Sequence, residues 1–169
     1  MIIRFKIIEH ERMADSPFIG AVVSAIDCWD NCPNCFNQNL KNLPTKEANA
    51  DEIIAEIKAN PLNEGVILSG LEWTLQAEEM ISLLYAAKQS GLKTMLYTSM
   101  TGNEFFRWFN LTQASRNLSM YGRAMYWRIN IKQHLDYIKF GAYDETKKID
   151  GYSSCNVTLA SKNQYIKEL

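Results

Sequence analysis

The stretch Phe18-Ile-Gly-Ala-Val-Val-Ser-Ala-Ile26-Asp-Cys28-Trp-Asp-Asn-Cys32-Pro-Asn-Cys35-Phe36-Asn37 decides how the rest of the chain is read. Its first half, Phe18 to Ile26, is apolar without helical spacing, as expected of a strand buried on both faces. Its second half is a polar loop that carries three cysteines in C-x3-C-x2-C spacing. A buried strand running straight into such a loop puts the thiols at the strand's carboxyl end. Parallel α/β folds build their sites there.

Strand and helix signals alternate downstream. The segment Asp51 to Ala59 carries Ile53, Ile54 and Ile57 on one helical face, with Asn49 or Asp51 to cap it and Asn60-Pro61 to stop it. Gly65 to Gly70 is too short and apolar for an ordinary helix and reads as a strand. Gln76 to Ser90 repeats apolar residues with a helical period and ends at Gly91, a suitable C-terminal cap. Lys93 to Thr98 is the next strand, Asn103 to Phe109 a short aromatic helix, and Arg123 to His134 a further helix. Asp136 to Gly141 is a strand again, and the tail ends in a short one near Gln164 to Ile166. Alternation of this kind predicts parallel pairing with right-handed crossovers. Four or five legible strands are too few for a complete eight-stranded barrel. The expected fold is therefore α/β, an incomplete TIM-type barrel of parallel strands with outer helices, with residues 1–169 as one domain.

Composition narrows the class. The chain has 169 residues, 47% hydrophobic and 22% charged, with no repeat or low-complexity tract. That is the profile of an ordinary globular domain, not a disordered one. The net charge is −1, so no global basic field invites nucleic acid. Charge is uneven, however. Glu47 to Glu79 holds eight carboxylates against Lys58 alone, and Arg116 to Lys139 holds five cations against Asp136 alone. These are two differently solvated faces, or else the basic half is a docking surface. No run approaches the roughly 20 apolar residues that span a bilayer, and the start MIIRFKIIEHER has no signal-peptide layout. The expectation is a cytoplasmic protein with no nucleic-acid or membrane partner.

Three of the four cysteines, Cys28, Cys32 and Cys35, fall within eight residues, and the fourth, Cys155, is distant. In a cytosolic protein such a cluster points to metal or redox chemistry rather than disulfides. Thiolates are the natural ligands of iron–sulfur clusters, and three of them leave one iron of a [4Fe–4S] cube open to another ligand. A zinc site completed by Cys155, His10 or His134, and a set of metal-free thiols, are the other readings of the residues.

Spacing and position together resemble the radical S-adenosylmethionine superfamily, and Phe36-Asn37 is similar to the C-[HYF]-N ending of its small activating enzymes. The resemblance implies that Cys28, Cys32 and Cys35 hold a [4Fe–4S] cluster. It also implies that Phe36 and Asn37 contact S-adenosylmethionine, Phe36 near the adenine. The turn Ser69-Gly70-Leu71-Glu72-Trp73 resembles the family's Gly-Gly-Glu-Pro-like turn, which holds the methionine amino group. That assigns Ser69, Gly70 and Glu72 to cofactor binding, with Leu71 and Trp73 as departures that threaten the methionine pocket. Leu135 to Tyr143 (LDYIKFGAY) and Thr158 to Ile166 (TLASKNQYI) resemble C-terminal segments of anaerobic ribonucleotide reductase activating proteins. The implied function is reductive cleavage of S-adenosylmethionine to a 5′-deoxyadenosyl radical that generates a glycyl radical on a partner enzyme. A flavodoxin or ferredoxin would supply the electron. Alternatives are a radical S-adenosylmethionine enzyme acting on a small molecule, as deazapurine synthases do, and a non-catalytic iron–sulfur or zinc module.

Beyond these motifs, Thr98 and Ser99 can hydrogen-bond ribose or carboxylate of the cofactor, or simply finish a strand and begin a turn. Lys139 can meet a cofactor carboxylate if its side chain faces the barrel interior, since a buried lysine needs a partner. Phe105, Phe106, Trp108 and Phe109 read as core. Tyr121, Tyr126 and Trp127, among Arg123 and Arg128, read as core or as a partner surface.

Overall fold

Buried apolar runs that are too short for helices become the middle of a sheet. In the computed structural model, which describes residues 1–114, 133–151 and 153–169, β3 (Gly20–Ser24), β5 (Gly65–Ser69), β6 (Lys93–Tyr97) and β7 (Tyr137–Phe140) pair in parallel. The register aligns Gly20 with Gly65 and Ser24 with Ser69, so the loops leaving β3 and β5 start side by side. Glycine is required at Gly65, because a Cβ there would lie 2.4 Å from the Phe18 ring and 2.5 Å from the Lys93 carbonyl.

The sheet is not purely parallel, which corrects the expected strand set. β2 (Ile8–Arg12) pairs antiparallel with β3, and β10 (Tyr165–Glu168) pairs antiparallel with β7. Among the described residues the order is β10-β7-β6-β5-β3-β2. An N-terminal strand, β1 (Ile2–Phe5), pairs with β4 (Lys46–Asn49) in a separate ribbon. A small hairpin joins β8 (Ser153–Ser154) to β9 (Val157–Thr158). β1 alternates Ile3 and Phe5 inward with Arg4 outward, a period-2 signal that sequence reasoning missed. β2 has no buried residue, and its place is set by pairing with β3.

The helices form where spacing and caps predict them. α1 (Ala50–Ala59) opens on a capping box, in which Glu52 N donates to Asn49 Oδ1 at 2.9 Å and Asn49 N donates to Glu52 Oε2 at 2.8 Å. α2 (Ala77–Gln89) follows a 3-10 turn over Trp73–Gln76 and closes at Gly91, whose φ is 78°. α3 (Gly102–Ala114) runs five residues past the expected end at Phe109, since nothing in Asn110 to Ala114 stops a helix. Of the expected helix over Arg123 to His134, residues 123–132 lie outside the described residues, as do Arg116, Tyr121, Tyr126 and Trp127. No described helix is long and apolar enough to cross a membrane.

The two faces of the sheet are covered differently, and this positions the site. One face carries Ala21, Val23, Val66, Leu68, Leu96, Ile138 and Phe140, packed under Ile53 and Ile57 of α1, Met80, Leu83 and Leu84 of α2, and Phe105 of α3. The opposite face carries Val22, Ile67, Met95 and, from β10, Ile166, and among the described residues Phe18, Val157 and Leu159 pack against it. Among the described residues the helices lie on one face, and the opposite face lines a hollow above the strand ends.

Candidate functional site

The hollow is a cavity of about 1220 Å³ at the carboxyl ends of the four parallel strands. It is larger than the roughly 300–1,000 Å³ of common ligand pockets. The strand ends supply its lining: Cys28, Cys32, Cys35, Phe36 and Asn37 after β3; Ser69 as the last residue of β5, with Gly70 and Glu72 after it; Thr98 and Ser99 after β6. Lys139 reaches the cavity from within β7. The three cluster cysteines and every residue assigned in the sequence to cofactor binding thus line one cavity.

The cysteine loop is shaped by its own turn chemistry. Cys32-Pro-Asn-Cys35 closes through Cys35 N donating to the Cys32 carbonyl at 3.2 Å, with Asn34 at φ 54°. Proline second and asparagine third is the residue pattern of a turn that needs a left-handed third position. The loop is tied to its neighbours at several points. Glu72 N donates to the Asp27 carbonyl at 2.9 Å, Trp29 Nε1 to Ser99 Oγ at 3.4 Å, and Lys41 Nζ to the Cys28 carbonyl at 2.7 Å. Lys6, itself buried, donates to the Leu43 carbonyl at 2.7 Å and to Thr45 Oγ1 at 3.1 Å, fixing the segment that follows. The three thiols are half-buried. Burial pushes the Cys28 and Cys32 thiols up, reinforced by the charge of Asp30.

The donor set fits an iron–sulfur cluster. Each thiolate of such a cluster holds its own iron, so the sulfurs need to share a cavity and not a point. A zinc site needs four donors converging on one ion, and among the described residues no three His, Cys, Asp or Glu side chains are so gathered. Nor do the proposed fourth ligands reach the cavity. His10 meets Asn63 at 2.7 Å and Glu56 at 3.8 Å, His134 lies edge-on to Tyr85, and Cys155 is exposed in the β8–β9 hairpin.

Glu72 is the most heavily bonded side chain of the rim. It is 3% exposed, and its carboxylate accepts from Thr74 Oγ1 (2.7 Å), Thr98 Oγ1 (3.1 Å), Ser99 N (2.9 Å) and Ser99 Oγ (3.0 Å). It therefore joins the end of β5 to the end of β6. Thr98 and Ser99, read as ribose or carboxylate contacts, are donors to this acid. Lys139 shares a sheet face with Tyr97, lies 5.5 Å from that ring and donates to the Gly141 carbonyl at 2.6 Å. Burial lowers its pKa to about 8, partly opposed by the charges of Glu72 and Cys32.

Gly70 has φ 85°, and a Cβ there would lie 2.4 Å from Ser24 Oγ, so the turn admits only glycine. The departures around it do not fill the cavity as their size suggests. Trp73 is fully buried and donates from Nε1 to the Val23 carbonyl at 2.9 Å, away from the cavity lining. Leu71 contributes to the wall while its side chain is packed in the core. Sequence reasoning missed Ser24, whose fully buried Oγ faces the Gly70 turn, and Lys41, which folds back thirteen residues onto Cys28. Ser24 was legible as the polar residue ending an apolar strand. Lys41 carries no such signal.

Comparison with known proteins adds two findings. Residues 19–122, more than half of the chain, match the sequence family described as a 4Fe-4S single cluster domain. The stretch includes the cysteine loop and the rim residues of β5 and β6, but not Lys139. The chain is also similar to the pyruvate formate-lyase-activating enzyme of Clostridium pasteurianum, with 31% identity over 105 residues, 59% of this chain and 44% of that protein. The match spans less than half of the relative's length.

Proposed function

This chain belongs to the 4Fe-4S single cluster domain family and is similar to a glycyl radical activase, and on that premise we propose that it is a radical S-adenosylmethionine activating enzyme of the cytoplasm. We read the described residues as one domain, a partial barrel whose face opposite α1, α2 and α3 lines the reaction chamber. The observation that carries the proposal is the gathering of the three thiols and the strand-end residues of β5, β6 and β7 on one cavity. The cofactors, when bound, supply a one-electron cleavage of the sulfonium C5′–S bond, giving methionine and a carbon radical able to take a hydrogen atom from a partner's glycine. Cys28, Cys32 and Cys35 hold the cluster, and Phe36 and Asn37 border the nucleoside side. Ser69, Gly70 and Glu72 shape the methionine end, with Thr98 and Ser99 held in place by Glu72. The buried Lys139 ammonium suits a cofactor carboxylate. The partner is a glycyl radical enzyme of the anaerobic ribonucleotide reductase type, and the electron comes from a flavodoxin or ferredoxin.

One observation favours a second reading. The Glu72 carboxylate is already occupied by donors of the chain itself, which suits an electron-transfer module that binds no S-adenosylmethionine. Anaerobic reconstitution with iron and sulfide, followed by reduction and electron paramagnetic resonance, separates the two. A cluster signal that changes on adding S-adenosylmethionine, with 5′-deoxyadenosine appearing, supports the enzyme. A cluster signal indifferent to the cofactor supports the module, and uptake of zinc alone refutes both.

A further inference from the structure

Three charged side chains stand along the ligand loop, Asp27, Asp30 and Lys41, and the function above uses none of them. Asp27 accepts from Cys28 N at 2.7 Å but is 67% exposed, which leaves Asp30 and Lys41 as the shielded, opposed pair. Lys41 lies on the short 3-10 turn over Gln38–Asn42 that follows the loop. Its Nζ donates to the Cys28 carbonyl at 2.7 Å and stands 3.6 Å from Asp27 Oδ1. The side chain is 32% exposed, so much of its charge is shielded from water. Asp30 lies between Cys28 and Cys32. It is half-buried, and its Oδ2 is enclosed with no hydrogen-bond partner among the described residues. A carboxylate oxygen left without a donor is costly, and native structures keep few such groups.

A cation held on the carbonyl of the first ligand and an unscreened anion between the first two ligands act oppositely on anything those ligands bind. One-electron reduction takes a [4Fe–4S] cluster from the 2+ to the 1+ state, adding one negative charge to the same spot. A nearby cation favours the reduced state and a nearby anion the oxidised one. We propose that Lys41 and Asp30 are an opposed redox-setting pair, Lys41 raising the cluster's reduction potential and Asp30 lowering it. This rests on the reading that Cys28, Cys32 and Cys35 hold the cluster. Both are positioning residues, acting through the ligand loop and not on a substrate.

The test is a dithionite titration of the reconstituted full chain, followed by electron paramagnetic resonance, with iron and sulfide content measured on every sample. At a fixed potential near the wild-type midpoint, Lys41→Gln is expected to lower the ratio of reduced to oxidised cluster about threefold. Asp30→Asn, whose charge is better enclosed, is expected to raise it about tenfold, some 59 mV for a one-electron couple. Lys41→Arg, which keeps the charge, should stay near wild type. Opposite signs are the discriminating result, because a merely loosened loop moves both variants the same way and lowers their iron content. Shifts of the same sign, or none in variants with full clusters, overturn the proposal. Asp30→Asn removes charge from an oxygen that makes no hydrogen bond. Should Lys41→Gln hold no cluster, an unshifted Asp30→Asn overturns the proposal on its own. Wild-type protein that takes up no iron refutes the cluster reading itself and this inference with it.

Discussion

Replacing Glu72 with alanine is expected to destabilise the protein by about 3–5 kcal/mol, even with no cofactor present. Removing the carboxylate leaves two N–H groups, that of the buried Thr74 and that of the half-buried Ser99, without their acceptor. The hydroxyls of Thr74, Thr98 and Ser99 can rotate to new partners, but the backbone donors cannot. Each stranded donor costs about 1–3 kcal/mol. The buried Lys139 ammonium also loses the first-named of the two charges that hold its proton in place, which puts the sum in the stated range. With a urea slope of about 1–3 kcal/mol/M, the unfolding midpoint should fall by about 2 M. Glu72→Gln keeps one acceptor oxygen but turns an amide donor toward other donors, and about half the loss is expected. Urea titrations followed by circular dichroism read both. A loss below about 1 kcal/mol in both variants would refute the view that this acid ties β5 to β6, and would leave ligand recognition as its remaining role.

Three further outcomes follow from single contacts. Lys139 has a folded-state pKa of about 8 against an ordinary value of 10.5, so between those pH values the unfolded chain binds more protons and stability rises with pH. The stability of wild type relative to Lys139→Met should therefore improve by up to about 3 kcal/mol from pH 8 to pH 10.5, and urea midpoints that shift in parallel across that window would contradict it. Gly70→Ala forces a Cβ against Ser24 at positive φ and should cost about 2 kcal/mol or more. Part of that loss should be recovered in a Gly70→Ala, Ser24→Gly double variant, measured by thermal melting. Asn49→Ala removes half of the α1 capping box and should cost about 1 kcal/mol by urea unfolding. No change there would mean that Glu52 alone secures the helix start.

The sequence by itself determined the elements whose signals are local. The short apolar runs of β3, β5 and β6 read as buried strands, and the capping box at Asn49 and the glycine at position 91 mark helix ends through bonds a few residues long. The cysteine spacing was equally local, and with it the iron–sulfur chemistry that the family match supports. Strands whose signals are not local escaped. β2 and β4 take their places from the strands that pair with them, β3 and β1, and their own residues do not announce which neighbour that is.

The same division runs through the site. That Cys28, Ser69, Thr98 and Gly141 follow strands was legible, and parallel order then places them on one rim. The partner of each side chain was not. Glu72 read as a cofactor-binding acid, yet five side-chain and backbone donors from two loops close on it. Trp73 read as an obstruction, yet its indole turns into the core to reach Val23. Lys139 read as surface or interior with nothing to decide between them. Strand parity settled it by putting Lys139 beside Tyr97 on the face opposite α1, α2 and α3. Hydrogen-bond partners tens of residues apart, and the face on which a side chain falls, depend on pairing and register. Only the tertiary structure fixes those, because a one-residue slip in register would reverse every such assignment without changing a letter of the sequence.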